Sequence, residues 1–493
     1  MSEPPSLNTR LQRFLTPVVY LSNNWFSRIG IFFVTAAGVS WLFLLPLIVR
    51  GAPRDPYIGL LVVFALPIVF FAGLILIPVG IWIRRRQHKP IEGLPVTFRQ
   101  ISLDNPQIRQ LLLFILIATA FNVVIGGQFT MRAVDYMEHD QFCGQTCHTP
   151  MQPEYTAYLR SNHARVSCTE CHVGEGAQAF VESKISGTRQ LIGVITGSYA
   201  RPIPSPVLAL RPATEICERC HWPNRFTGDM FLVRTHYASD EQNTPATTVA
   251  LMRVGGHNWK GTVGIHGAHS AANGHMEYIS TDGRRQVIPQ VTYYSADGKV
   301  TVYKSTDVKV TAEQLARGEH RTMDCMDCHN RPTHVFELPE NAIDKQILTG
   351  RISVGIPFIK KEAVEVLRHD YPDRETANRE IASSLESFYH AKYPQTDQAA
   401  LQRAIQAVQY VYAGNIFPAM KVTWGTYPNN IGHMDSPGCF RCHDGSHVSS
   451  DGRKINDDCA TCHDLLAVEE KSPKVLQDLG VNPALAGSGT NVQ

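Results

Sequence analysis

Twelve cysteines carry the chemistry most directly legible in this chain. They fall as Cys143/Cys147, Cys168/Cys171, Cys217/Cys220, Cys325/Cys328, Cys439/Cys442 and Cys459/Cys462, and a histidine follows each pair: His148, His172, His221, His329, His443 and His463. Cys-x-x-Cys-His is the pattern of c-type haem attachment, in which two thiols add across the vinyl groups and the adjacent imidazole meets the iron. Disulfides or paired-cysteine zinc sites would use the same thiols, but neither explains a histidine after every pair. The first motif has three intervening residues, Gly144, Gln145 and Thr146, where the others have two. A looser turn absorbs the extra residue, so the expectation is six covalently bound c-type haems.

A low-spin electron-transfer haem needs a second axial ligand, and histidine or methionine there tunes its potential. His163, His334, His433 and His447 stand beside motifs and are candidate iron ligands. The loop Gly264–His269 adds His266 and His269, which compete with His236, His257, His275 and His320 for one or two places. Met151, three residues after His148, offers a thioether to the first haem.

These motifs need a scaffold and a compartment. Net charge is only +2 with 18% charged residues, which gives no basic surface for nucleic acid. Residues 1–130 read as an α-helical membrane domain with three transmembrane helices, about 29–49, 57–83 and 111–130, each long enough to cross roughly 30 Å of hydrocarbon. Arginines crowd the N-terminus and the loop beginning Arg84-Arg85-Arg86, whereas the loop 50–56 has two. That bias puts the N-terminus in the cytoplasm and everything after the third span on the far side, the periplasm of a bacterial inner membrane. The same side is where c-type haems are attached.

The exported part reads as mainly helix and loop. Residues 131–228 carry three motifs with little room for an independent apolar core, so this segment is expected to fold around its cofactors. Residues 229–320 alternate in short runs punctuated by Asp282-Gly283 and Asp297-Gly298, which predicts a small region of β-hairpins. Residues 321–471 hold the fourth motif, a helical scaffold in which Leu401, Ile405, Val408 and Val411 recur at helical spacing, and the last two motifs. Residues 472–493 read as a flexible tail.

The stretch Cys-His-Thr-Pro-Met-Gln-Pro-Glu-Tyr, followed by Ser161-Asn162-His163 and Val166-Ser-Cys-Thr-Glu-Cys-His-Val173, resembles the NapC/NirT/NrfH membrane quinol dehydrogenase cytochromes. The three spans and long exported part are most like the larger inner-membrane multihaem cytochromes of metal-reducing bacteria. The resemblance implies a first haem at the membrane with Met151 as axial ligand. It also implies a quinol pocket holding Lys184 and a carboxylate, with Glu175, Glu182 and Asp135 as candidates. Two departures stand out: the first motif and the interval from His148 to Met151 are each longer by one residue, and the family commonly has one anchor helix.

The function implied is oxidation of menaquinol or another quinol from the membrane pool, with electrons passed through a haem chain to periplasmic cytochromes or a reductase subunit. A rival is a terminal reductase of a small nitrogen or sulfur compound, which would need an iron with an open position. All six motifs end in histidine and second-ligand candidates are plentiful. A third reading is a docking and electron-transfer subunit of a larger respiratory complex.

Overall fold

The structure, a computed structural model, describes residues 24–49, 65–87, 106–146, 148–173, 176–207, 211–222, 226, 228–255, 264–269 and 274–482. Cys147, Glu175, residues 57–64 of the expected second span and residues 483–493 of the expected tail lie outside them, as does the side chain of His148. The chain divides into two compact units, Met1–Glu138 and His139–Gln493.

Three helices in the first unit, α1 (Trp25–Val49), α2 (Leu66–Gln87) and α3 (Pro106–Glu138), are long and apolar enough to cross a membrane. Gly30 and Gly73 face each other where α1 meets α2, and a Cβ on either would stand 2.7 Å from the other's carbonyl oxygen. Small residues let the backbones approach where lipid provides no hydrophobic drive. Ser27 donates its hydroxyl to the Ile77 carbonyl at 2.9 Å in the same crossing. Asn122 of α3 bonds to Thr35 of α1 at 3.2 Å, giving the polar residue of the third span a partner on a neighbouring helix. With no breaker after Thr130, α3 runs on through Arg132 and Asp135 to Glu138.

The second unit opens with the first motif in a π-helical turn, Phe142–Thr146. A π turn closes over one more residue than an α turn, and this one takes in the three intervening residues Gly144, Gln145 and Thr146. Gly144 makes the turn possible, because a Cβ there would lie 2.2 Å from the Tyr155 ring. Helices α4 (His148–Leu159), α5 (Cys168–His172) and α6 (Gly176–Thr196) follow.

Two antiparallel sheets come next. In strands β1 (Met230–Tyr237) and β2 (Pro245–Met252) buried positions recur at every second residue, Val233 and Thr235 on one and Thr247 and Val249 on the other. Between them and β3 (Gly274–Ser280) lies the short helix α7 (Ile265–His269). Strands β4 (Gln290–Ser295), β5 (Val300–Ser305) and β6 (Glu319–Thr322) complete the expected β region. Two later strands close the sheets, β7 (His447–Ser449) beside β5 and β8 (His463–Glu470) beside β2. β8 begins at His463 of the sixth motif and β7 four residues past His443 of the fifth, beyond the region where the sequence predicts strands.

The helical scaffold consists of α8 (Pro339–Leu348), α9 (Ile359–Leu367), α10 (Arg374–Lys392) and α11 (Gln398–Asn415). Leu401, Ile405, Val408 and Val411 are all buried, at i, i+4, i+7 and i+10 of one face, against Ile343, Ile381 and Leu385. This is the main apolar core of the described residues. Arg160, just past α4, anchors the haem-motif segment to it by donating to the Tyr410 carbonyl at 3.2 Å with its guanidinium over the Tyr410 ring.

Candidate functional site

Five of the motif histidines meet a second histidine from elsewhere in the chain. His172 faces His334 with ring centres 6.3 Å apart, His221 faces His163 at 6.1 Å, and His329 faces His266 at 6.3 Å. His443 faces His269 at 5.8 Å, and His463 faces His433 at 6.3 Å. Two imidazoles that each hold a nitrogen about 2 Å from a shared metal stand roughly 6 Å apart centre to centre. The pairs therefore have the spacing that two imidazoles sharing one haem iron would have.

The hydrogen bonds agree with that use. His266 Nδ1 lies 2.5 Å from the Val254 carbonyl oxygen and His269 Nδ1 2.7 Å from that of Ile265. His334 Nδ1 lies 3.0 Å from the Glu154 carbonyl and His443 Nδ1 2.6 Å from that of Asn456. Giving Nδ1–H to a carbonyl fixes the tautomer and leaves Nε2 with a lone pair for metal. The Nδ1 atoms of His163 and His463 are buried with no hydrogen-bond partner among the described residues. Burial also lowers the pKa of His172, His269, His329 and His334, with a neighbouring imidazole of the cluster adding to it for the first three. Each is held in the neutral form that ligates iron.

The thiols are placed less uniformly than the imidazoles. Cys217 is half-buried and hydrogen-bonded to Cys325, whereas Cys220, the other thiol of the third motif, is exposed, as are Cys439 and Cys459. Cys220 faces outward although it shares a motif with Cys217. The physical reason is the turn itself: Cys220 and His221 both donate their amides to the Cys217 carbonyl, at 3.1 and 2.8 Å. That tight closure sends Cys217 inward and leaves Cys220, His221 and Trp222 on the surface. Burial raises the pKa of Cys171, with Glu170 and then Cys220 of the next motif adding to it.

Among the described residues, His447 is not paired with another histidine. It is buried on β7, with Nδ1 3.0 Å from Asp444 Oδ1 and Nε2 2.8 Å from the Ile288 carbonyl oxygen, so both ring nitrogens are engaged within the sheet. Met151 sits half-buried in the first turn of α4.

Around the first motif, the Cys143 thiol is hydrogen-bonded to that of Cys168, which lowers the Cys143 pKa to about 7; burial and Asp140 oppose the shift and Lys184 adds to it. Lys184 of α6 and Asp140 thus act on the same thiol. Asp140, which the sequence reading does not single out, accepts the Cys168 N–H at 2.7 Å and the Tyr158 hydroxyl at 2.8 Å. Burial alone would raise its pKa, but these hydrogen bonds outweigh it and hold the carboxylate below its usual range. Its place three residues before Cys143 is the signal that could have found it. Glu182 is exposed on α6, Asp135 lies in the membrane unit, and Glu175 is outside the described residues.

Glu154 and Arg331 are a second pair found only in three dimensions. Arg331 donates to both carboxylate oxygens of Glu154, at 3.1 and 2.9 Å, and to the His334 carbonyl at 2.8 Å. The Glu154 carboxylate also lies 3.3 Å from His334 Nδ1. A buried ion pair thus orients an imidazole that faces His172.

Comparison with known proteins decides the family. Residues 105–202 match the NapC/NirT cytochrome c family, N-terminal region. Cytochrome c-type protein ImcH of Geobacter sulfurreducens is 40% identical over 463 residues, which covers 92% of this chain and 90% of that protein. The chain belongs to the NapC/NirT cytochrome c family. It is a membrane multihaem c-type cytochrome of electron transfer, and haem is covalently bound to it. No solved structure matches the chain. The matched segment spans α3, the first two motifs and α6, and so contains both Lys184 and Asp140.

Proposed function

We propose that this cytochrome carries six c-type haems, oxidises a membrane quinol beside its first motif, and passes the electrons to a periplasmic acceptor. The observation that carries the reading is the five facing histidine pairs, because two strong ligands per iron suit electron transfer and leave no open position for a reductase substrate. Covalent haem supplies one-electron carriers, so a two-electron donor such as quinol can be discharged stepwise. In this reading the irons of the second to sixth motifs are held by His172 with His334, His221 with His163, His329 with His266, His443 with His269, and His463 with His433. His148 and Met151 serve the first, and His447 is left out of the ligand set. All twelve cysteines carry thioethers, and the exposure of Cys220 puts one edge of the third site at the surface.

The chain's own residues do the rest. Lys184 binds and orients the quinol headgroup, donating to an oxygen as its proton leaves. Asp140 is committed to the Cys168 amide and the Tyr158 hydroxyl, so it fixes local charge and geometry, while the proton acceptor is drawn from Glu182, Glu175 and Asp135. The three apolar helices anchor the chain in the inner membrane, with the N-terminus cytoplasmic. The menaquinol pool is the donor, and a periplasmic cytochrome or reductase subunit the acceptor.

The test is reduction of the haem-loaded protein in lipid nanodiscs by a menaquinol analogue, comparing wild type with Lys184→Ala. The expected result is haem reduction by quinol in wild type and a rise in the quinol concentration needed by Lys184→Ala, with unchanged reduction by dithionite. Wild type that dithionite reduces and quinol does not would overturn the reading.

A further inference from the structure

The residues lying between the paired cysteines are usually regarded as spacers, but here they touch one another from motif to motif. The Cys168 amide of the second motif donates to Asp140, three residues before Cys143, at 2.7 Å, and the Cys143 and Cys168 thiols are hydrogen-bonded. Glu170, inside the second motif, forms an ion pair with Arg219, inside the third, at 3.2 Å. The Cys217 thiol of the third motif is hydrogen-bonded to Cys325 of the fourth. Arg441, inside the fifth motif, donates at 2.7 Å to the carbonyl of Asp327, inside the fourth. Phe440, also inside the fifth, stacks at 4.3 Å on His433, which faces His463 of the sixth.

Each contact joins a motif to the next one along the chain. The facing histidines give the same neighbours. His163, which faces the third motif's His221, lies five residues before the second motif. His266 and His269 face the fourth and fifth motifs from one five-residue helix. His433 faces the sixth motif from six residues before the fifth. Thioether bonds anchor the edge of the macrocycle at the thiols, so motifs in contact bring two anchored edges together.

We propose that the six attachment sites stand in a single unbranched file in the order in which the chain makes them. Its ends are the first site, flanked by Lys184 and Asp140, and the sixth, where Cys459 is exposed and β8 begins. Arg219–Glu170 and Arg441–Asp327 are the positioning contacts that hold consecutive sites together. The one link out of order is His334, which reaches the second motif from five residues beyond the fourth motif's His329. The proposal rests on the reading of the motifs as haem sites and is independent of the donor.

The direct test is the set of iron–iron distances from electron cryo-microscopy of the full-length, haem-loaded protein in lipid nanodiscs. The expected result is that each iron's nearest irons belong to the preceding and following motifs. A second iron closer to the fourth than to the third, or any other motif out of sequence, would overturn the order. A kinetic test uses Cys325→Ala/Cys328→Ala, which lacks the fourth site. Electrons supplied by a menaquinol analogue should rapidly reduce three of the five remaining haems, whereas dithionite reduces all five. Reduction of all five at the wild-type rate would mean a branched array. Should wild type itself resist quinol, the quinol reading fails and the iron distances alone decide the order; they also decide it if the variant does not fold.

Discussion

The ring of His266 lies 6.3 Å from that of His329 and is tilted by only 8° from parallel. Parallel axial imidazoles act on the iron's π-symmetry orbitals along one direction and split them, giving a rhombic low-spin signal. Crossed imidazoles leave those orbitals nearly degenerate and move the largest g value upward. The His163/His221 and His269/His443 planes cross at 69° and 59°, while His433/His463 lie at 32°. Low-temperature EPR of the oxidised protein should therefore show both classes. Replacing His266 with methionine should remove one rhombic signal, leave the large-g signals in place, and raise the potential of one haem, because methionine ligation favours the reduced iron.

His447 gives the opposite expectation. Its nitrogens are spent on Asp444 and the Ile288 carbonyl, and it is 1% exposed. His447→Phe should leave the visible and EPR spectra of all haems unchanged. It should also lower stability, because a buried carbonyl loses its donor at a cost of about 1–3 kcal/mol. Urea unfolding read against the unaltered haem spectrum separates the two effects.

Gly144 lets the widened first motif turn beneath the Tyr155 ring. Gly144→Ala should reduce covalent attachment at that motif alone, seen as loss of one haem from the intact mass. Combining it with Tyr155→Ala, which removes the clashing ring, should restore attachment.

Glu319 of β6 carries a pH expectation. Arg285 hydrogen-bonds its carboxylate, at 2.9 Å through Nε and again through the terminal nitrogen, and holds the Glu319 pKa below its ordinary value. A carboxyl depressed on folding stabilises the folded state above its unfolded pKa of about 4.3, and that contribution is lost as pH falls through the folded value. Glu319→Gln should therefore be less stable than wild type at neutral pH, with the gap in urea midpoint closing below roughly pH 4. A gap that stays constant across the acid range would contradict this.

Much of this architecture is written locally. The motif cysteines and histidines are contiguous signatures, the spans are long apolar runs, and Leu401, Ile405, Val408 and Val411 announce their helix by spacing. The facing histidines are of another kind. His163, His334 and His433 can be picked out by nearness to a motif, but which motif each serves is a tertiary fact: His334 faces the second motif, not the fourth beside it. Nearness selects His447 equally well, and only the sheet reveals that Asp444 and Ile288 hold it. The identical motif spelling likewise hides that Cys217 turns inward while Cys220 stays at the surface. Strands β7 and β8 escape a local reading because each pairs with a strand from far earlier in the chain. Asp140 and the Glu154–Arg331 pair escape it for the same reason, since their partners are distant in sequence.

The central claim, that this cytochrome draws electrons from a membrane quinol, is tested most directly by anaerobic mixing of the oxidised full-length protein in nanodiscs with a menaquinol analogue. Quinone formation and haem absorbance are followed together. The expected result is one quinone formed for every two haems reduced. Haems that remain oxidised under quinol, in protein that dithionite reduces completely, would contradict it.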